Sequence, residues 1–335
     1  MSVLRIIVPP RQPSNRCRVQ ISDRLIQCVA RRCQAAMDRT AMTNSDFDPA
    51  RGIGATLAAI AIEAGIAILD VFHSNFDVDE KSDHSPVTAA DKRAERIILQ
   101  RLVEHFPDVP VIAEESVSAG QVPAHEARMF LVDPLDGTRE FIAGRGEFTV
   151  NIALIDNGAP IAGALYAPAW RDASGWICFA DGSRGACEAD VENPSSEDAC
   201  LPPQSAWRRL STRKPDANGM KAVASRSHLS AETRDYLARI GIEQTVSAGS
   251  ALKFCLLARG EADVYPRLSP TMEWDTAAGD AILRAAGGCV VRRDGEPMDY
   301  GQRPGEYLNP HFIAWGTPEP PERFRVTANR QAVSG

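Results

Sequence analysis

Asp133 and Asp136 stand three positions apart at the end of an apolar run, 129–132, and Gly137 and Thr138 follow at once. Hard oxygen donors of this kind select Mg²⁺-like cations, which are held by a few carboxylates together with water and substrate phosphate. Backbone amides exposed after a Pro or Gly turn, where a helix begins, can take phosphate oxygens. The stretch Asp133-Pro134-Leu135-Asp136-Gly137-Thr138 therefore points to metal-assisted chemistry on a phosphate ester. Three more acids join it as candidates: Asp91, Glu114 and Asp275.

Each of these acids also has a plain reading. Thr88 and Asp91 have the spacing of a capping box with Asp in place of Glu, and taken alone that is the commoner meaning. Glu114 and Glu115 could be a solvated strand end. Asp275 could be an acid at a helix N-terminus, favoured by the dipole, and the 133–137 stretch could be a turn. Their order and company argue for more. Gathering these acids without cations is costly, because like charges raise one another's pKa. Two metals would remove that cost, generate a nucleophile from water and stabilise both oxygens of an in-line displacement.

The elements that must position these residues follow from periodicity. Residues 57–72 read as a buried helix, too short to span a membrane and interrupted by Glu63. Residues 76–86 read as a polar loop. A helix is expected over 88–103, with Ala94, Ile97, Ile98 and Leu102 at helical spacing. Strands are expected at 109–113, ending in Glu114, and at 129–132, ending in Asp133. Two strands at 148–155 and 160–166 flank Asp156-Asn157-Gly158, a hairpin signal, and another lies at 176–180. Residues 188–219, rich in Pro, Ser and charge, read as a surface insertion. Alternation follows: strand 221–225, helix 230–240, helix near 250–258, strand 262–265, helix 275–286, strand 289–291. The first half suggests helices on a mainly antiparallel sheet and the second alternating α/β, so the expected class is layered α/β.

Composition narrows the chemistry further. The 335 residues are 44% hydrophobic and 24% charged, with a formal net charge of −7. Residues 1–42 carry eight Arg, no Lys and only Asp23 and Asp38, leaving the remainder strongly acidic. An acidic body argues against binding a nucleic-acid polymer. The eight Cys form no C-x-x-C pair and the six His no H-x-x-x-H pair, so a zinc ribbon or histidine-bound metal is not expected. Scattered Cys suit a reduced cytosolic protein. Asp77 and Asp79 imitate a dehalogenase-type D-x-D but lie in polar sequence, and no P-loop signature exists.

The stretch 133–138, preceded by Glu114-Glu115-Ser116 and followed by Trp274-Asp275-x-Ala277-x-Gly279, resembles the inositol monophosphatase superfamily over about residues 55–316. Its members are Mg²⁺-dependent, lithium-sensitive phosphomonoesterases with a layered αβαβα sugar-phosphatase fold. Further stretches are similar to its 3′(2′),5′-bisphosphate nucleotidase branch. They are 85–91, 146–155, 225–228, 249–255 and Tyr265-Pro266-Arg267. The resemblance implies two or three Mg²⁺ per site. Glu114, Asp133 and the Leu135 carbonyl would hold the first, and Asp133, Asp136 and Asp275 the second. Thr138 and Asp91 would orient and deprotonate the attacking water, with Glu114 close by. Amides of Gly137 and Thr138 would grip the scissile phosphate. Ser225, His228, Ser250, Lys253 and Arg267, with Asp275, are its candidates for the nucleotide and second phosphate. Three departures from the pattern stand out: Ala113 where many relatives have Gly, Asp280 where the branch often has His, and the long 188–219 stretch.

The expected activity is hydrolysis of 3′-phosphoadenosine 5′-phosphate to AMP. The alternatives are a sugar or inositol monophosphatase of the same superfamily, and a non-catalytic metal- or nucleotide-binding regulator. Expected domains are an Arg-rich extension at 1–50, disordered or read from a mistaken upstream start, then a metal-binding half at 51–187. The 188–219 insertion, a substrate-binding α/β half at 220–317 and a tail at 318–335 complete them. The expected setting is the cytoplasm, or the cytoplasmic face of the inner membrane. A small nucleotide is the expected partner, and the state monomer or homodimer.

Overall fold

The computed structural model describes residues 52–74, 76–80, 86–170, 174–182, 184–215, 219–225, 230–303, 305–321 and 324, with the backbone alone for Glu80, Pro86 and Ser225. The 1–50 extension and most of the tail lie outside them.

Helix α1 (Ile53–Phe72) is 20 residues long and α2 (Ala89–His105) is 17. They lie side by side, tied by a fork from Arg101 to both oxygens of Glu63 at 2.9 Å. The α1 helix starts four residues earlier than periodicity suggests, so the length argument against a membrane span fails. Its most apolar window has mean hydropathy 2.0, long and apolar enough to cross, but two thirds of that window is buried inside the protein. It is a core helix. The expected loop at 76–86 holds one short strand, β1 (Val78–Glu80), and runs into a second, β2 (Pro86–Thr88), the two paired antiparallel.

A seven-stranded sheet follows. Its strands are β3 (Val111–Ala113), β4 (Arg128–Asp136), β5 (Thr149–Asp156), β6 (Ala159–Ala167), β7 (Gly175–Asp181), β8 (Gly185–Val191) and β9 (Arg208–Arg209), adjacent in that order. Only β3 and β4 run parallel; the other pairs are antiparallel. The expected boundary at 187/188 falls inside β8, and the 188–219 stretch returns β9 to the sheet edge. Both faces of β4 are buried, and its side chains alternate between them. Phe130 and Val132 join the cluster under α1 and α2, whereas Met129 and Leu131 join the opposite one.

That opposite cluster packs α6 (Leu252–Ala258) and α7 (Ala277–Ala285) against the sheet. The two helices approach so closely that a Cβ on Gly279 would lie 2.4 Å from the Phe254 ring. Beyond them lies a five-stranded sheet of β10 (Lys221–Ser225), β11 (Gln244–Ala248), β12 (Val264–Arg267), β13 (Cys289–Arg292) and β14 (Phe312–Trp315), ordered β11-β10-β12-β14-β13. Its outer face buries Leu237 of α5 (Ala231–Arg239). The layers run α, β, α, β, α, as expected.

Candidate active site

The β4 strand delivers the first acids. Its pairing with β5 slips between Asp133 and Asp136, so a bulge turns the two carboxylates at the strand's end. Asp133 is buried, and its Oδ1 accepts the Leu135 N–H at 3.0 Å. Gly137 then takes φ +91°, a left-handed conformation that glycine adopts without penalty, and opens the short helix α4 (Thr138–Ile142). Those few residues place a carboxylate pair, a carbonyl and a hydroxyl at the end of β4.

Asp91 reaches the same strand end from the first turn of α2. The capping box is present: the Thr88 N–H and hydroxyl donate to Asp91 Oδ2 at 2.8 and 2.7 Å. Its other oxygen faces Thr138, whose hydroxyl lies 3.3 Å from Asp91 Oδ1 and 3.2 Å from the Leu135 carbonyl. Cap and site partner are thus the same carboxylate, with one oxygen for each task.

Glu114 opens α3 (Glu114–Ser118) at the end of β3. Glu95, one turn beyond Asp91 on α2, holds that opening in place. Its carboxylate accepts the Glu115 N–H at 2.8 Å and the Ser116 hydroxyl at 2.6 Å. Sequence reasoning passed over Glu95, although its four-residue spacing from Asp91 puts both on one helix face.

Asp275 does not begin α7, as expected, but ends a 3₁₀ turn, Glu273–Asp275, ahead of it. Asp275 Oδ2 accepts the Met272 N–H at 2.9 Å. Asn309, also unforeseen, clamps this turn: its Nδ2 donates to the Met272 carbonyl at 2.6 Å and lies within 3.1 Å of the Thr271 and Thr276 hydroxyls. Glu273 accepts the Gly301 N–H at 2.7 Å, and burial pushes its carboxyl up to about 7.

The acids crowd one another. Burial pushes Asp133 well above the usual carboxylate range, and Glu114, Asp136 and Asp275 add to it. Asp275 is raised by burial and by Asp136 and Glu114. Among the described residues no three His, Cys, Asp or Glu side chains are grouped closely enough to hold a metal ion as they stand. The donor chemistry fits one nonetheless. The donors are all oxygen, and two of the acids are driven toward their protonated forms, a penalty that a cation relieves.

A cavity of about 500 Å³ opens over the end of β4, and its lining includes Glu114, Asp136, Gly137, Thr138 and Asp275 together with Ser250, Lys253 and Arg267. Lys253 is buried on α6. Its ammonium donates to the Ser250 carbonyl and lies 5.4 Å from the centre of the Tyr265 ring. Burial pushes it down to about 8, against the pull of Asp136. Arg267 ends β12; its Nη2 donates to the Pro270 carbonyl at 3.1 Å, and its buried Nε has no partner. Asp91 and Asp133 are buried and are not among the lining residues. Ser225 ends β10 with its side chain undescribed, and His228 lies outside the described residues.

Residues 52–317 match the description "Inositol monophosphatase family". The chain belongs to that family. It is 44% identical over 255 residues to CysQ, the 3′(2′),5′-bisphosphate nucleotidase of Escherichia coli K12, covering 76% of this chain and 95% of that protein. CysQ from Bacteroides thetaiotaomicron, a solved structure, is 38% identical with a TM-score of 0.64, covering 78% of this chain and 95% of that one. The Thermotoga maritima IMPase, at 21% identity and TM-score 0.60, covers 77% and 90% and shares the fold. The inositol monophosphatase family is metal-dependent, in keeping with the oxygen donors gathered here. The departure at Asp280 has a local explanation: this buried carboxylate is forked by Arg284 at 2.7 and 2.9 Å and accepts the Tyr300 hydroxyl at 3.0 Å. It serves the packing of α7, away from the cavity lining.

Proposed function

We propose that this protein is a Mg²⁺-dependent phosphomonoesterase that removes the 3′-phosphate of 3′-phosphoadenosine 5′-phosphate, giving AMP and phosphate. The observation that carries this reading is the mixed charge of the cavity lining, where the acids Glu114, Asp136 and Asp275 meet the cations Lys253 and Arg267. The acids suit cations that meet the scissile phosphate, and Lys253 and Arg267 suit a second anionic group on the same substrate. The likeness to proteins named 3′(2′),5′-bisphosphate nucleotidases supports it.

In this reading Glu114, Asp133 and the Leu135 carbonyl hold one Mg²⁺, while Asp133, Asp136 and Asp275 hold a second. When bound, these ions supply positive charge that lowers the pKa of water and offsets the charge of the phosphoryl group in transfer. The Thr138 hydroxyl accepts a proton from the attacking water and passes its own to Asp91 Oδ1, the oxygen that the Thr88 cap leaves open. Glu114 lies at the cavity beside that water. The amides of Gly137 and Thr138 meet the phosphate. Water oxygen bonds to phosphorus, the bond from phosphorus to the ribose 3′-oxygen breaks, and that oxygen takes up a proton from solvent water and leaves as a hydroxyl, the proton on Asp91 returning to solvent. Lys253 and Arg267 fix the 5′-phosphate, and the family resemblance assigns Ser225 and His228 to the nucleotide as well. The substrate is a diffusible small molecule, and the setting is cytoplasmic.

The test is phosphate release from 3′-phosphoadenosine 5′-phosphate and from inositol 1-phosphate, side by side, with Mg²⁺ and with added Li⁺. Preference for the nucleotide, with inhibition by Li⁺, is the expected result. Preference for the inositol ester would overturn the substrate assignment, and binding without release from either would overturn the catalytic one.

A further inference from the structure

The stretches 146–155 and 249–255, far apart in the chain, meet at Glu147. Its Oε2 accepts the Gly249 N–H at 2.8 Å, across a separation of 102 residues. Its backbone carbonyl touches two glycines at once. A Cβ on Gly137 would lie 3.0 Å from that oxygen, and one on Gly249 would lie 3.0 Å from it and 2.9 Å from the Glu147 Cβ. Both glycines line the cavity, and Glu147 is not among the lining residues. The carbonyl is firmly placed, because the next residue, Phe148, is fully buried and its ring packs against Phe72 and Phe141.

Gly249 leads directly into residues that carry function in the proposed reading. Ser250 follows it at φ +50°, a left-handed conformation rare for a residue other than glycine. Such a conformation persists where the surroundings over-determine it. The Ser250 hydroxyl lies 2.6 Å from Asp136 Oδ2 and 2.5 Å from Thr149 Oγ1, and its carbonyl receives the Lys253 ammonium. Displacing Gly249 would therefore displace a candidate nucleotide contact together with the support of the cation assigned to the 5′-phosphate. The other glycine that Glu147 touches, Gly137, supplies with Thr138 the amides assigned to the scissile phosphate.

We infer that Glu147 is a positioning residue that fixes the spacing between the scissile-phosphate amides at Gly137 and Thr138 and the second-phosphate contact at Lys253, so that the cavity selects substrates whose two phosphates match that spacing. The inference rests on the proposed bisphosphate reading. A carboxylate suits the task because a charged acceptor holds a backbone N–H about twice as strongly as a neutral one. Glu147 also favours the charged form of Lys253, against the burial that lowers it.

The experiment is steady-state kinetics of the full chain at saturating Mg²⁺, on 3′-phosphoadenosine 5′-phosphate and on 4-nitrophenyl phosphate, which has one phosphate and no nucleoside. Glu147→Ala is expected to raise KM for the bisphosphate about tenfold, the worth of one hydrogen bond to a charged group, with kcat and the 4-nitrophenyl phosphate kinetics within about twofold. Glu147→Gln keeps an acceptor oxygen and should hold that rise to about threefold. Gly249→Ala leaves the carboxylate in place but forces the segment off Glu147, and should raise the same KM. An unchanged KM for the bisphosphate in Glu147→Ala, or equal losses on both substrates, would overturn the inference. An unchanged KM in Gly249→Ala would overturn it even if Glu147→Ala failed to fold. Wild-type protein that does not prefer the bisphosphate to 4-nitrophenyl phosphate would overturn the parent reading instead, a result distinct from any change among the variants.

Discussion

The acid wall of the site takes Asp133, Leu135, Asp136, Gly137 and Thr138 from one short stretch, the end of β4 and the start of α4. The cationic wall takes Lys253 and Arg267 from α6 and β12. The supports differ as much as the origins. Asp91 is held by a cap, Glu114 by Glu95, Asp136 by Ser250, and Asp275 by the turn that Asn309 clamps. Lys253 rests on one carbonyl and an aromatic face, and Arg267 on one carbonyl and the Tyr265 hydroxyl, with its buried Nε unpartnered. The acid wall is over-determined, as a site must be that crowds like charges. The cationic wall is sparsely held and leaves hydrogen-bonding capacity for a ligand. A fold built this way can keep its hydrolytic chemistry while the cationic wall changes the substrate.

The largest effect that separates the walls is expected from Asp133→Asn. Turnover should fall by more than about 100-fold, the upper range for a supporting group behind a ligand. Phosphate-release assays on folded protein check this, and near-normal activity would remove Asp133 from the centre of the acid wall. Next come Lys253→Ala and Arg267→Ala. A hydrogen bond to a charged group contributes about 1.5–3 kcal/mol, so each change should raise KM for the bisphosphate roughly 10- to 100-fold. Turnover of a monophosphate ester should hardly move, and equal losses on both substrates would merge the two walls into one.

Asn309→Ala should act on the acid wall alone, and more gently. Releasing the turn that carries Asp275 should raise the Mg²⁺ concentration for half-maximal activity by about tenfold, with KM for the nucleotide unchanged at saturating Mg²⁺.

The smallest expected effect is a pH dependence confined to the cationic wall. Burial lowers Lys253 to about 8 from the free value of 10.5. KM for the bisphosphate should therefore rise as pH passes through about 8 and the ammonium is lost. Between those two values the unfolded chain binds the extra proton, so stability rises with pH there while substrate binding weakens. Lys253→Arg should flatten the KM profile, because a guanidinium stays charged.

Much of the acid wall could be read from the chain because its chemistry is local. A strand end, a bulge, a left-handed glycine and a helix start fit within residues 133–138, and their residue types announce them. The two long helices α1 and α2 were legible from their apolar spacing, although α1 begins earlier than expected. The fully buried β14, Phe312–Trp315, went unread because four residues are too short a run to show a period, and other unread strands lack an apolar signature. Residues 244–248 form an edge strand that is largely exposed, and 78–80 and 86–88 form a short polar pair. Edge strands need no hydrophobic run on both faces, so periodicity says little about them. Among the supporting residues, Glu95 left a trace in its spacing from Asp91, whereas Asn309 and Thr149 left none that marked their roles.

The sequence by itself determined the kind of chemistry: which oxygen donors, which hydroxyl and which cations are present, and the local geometry of the 133–138 turn. Tertiary structure alone decided which of them meet. Ser250 and Asp136 are 114 residues apart, and Thr138 and Asp91 are 47 apart. A side chain's type fixes the bonds it can form, but its partner is set by the packing of layers around it. That is why Ser250 and Asp136 share a hydrogen bond only once the helix that Ser250 precedes is seated against the sheet.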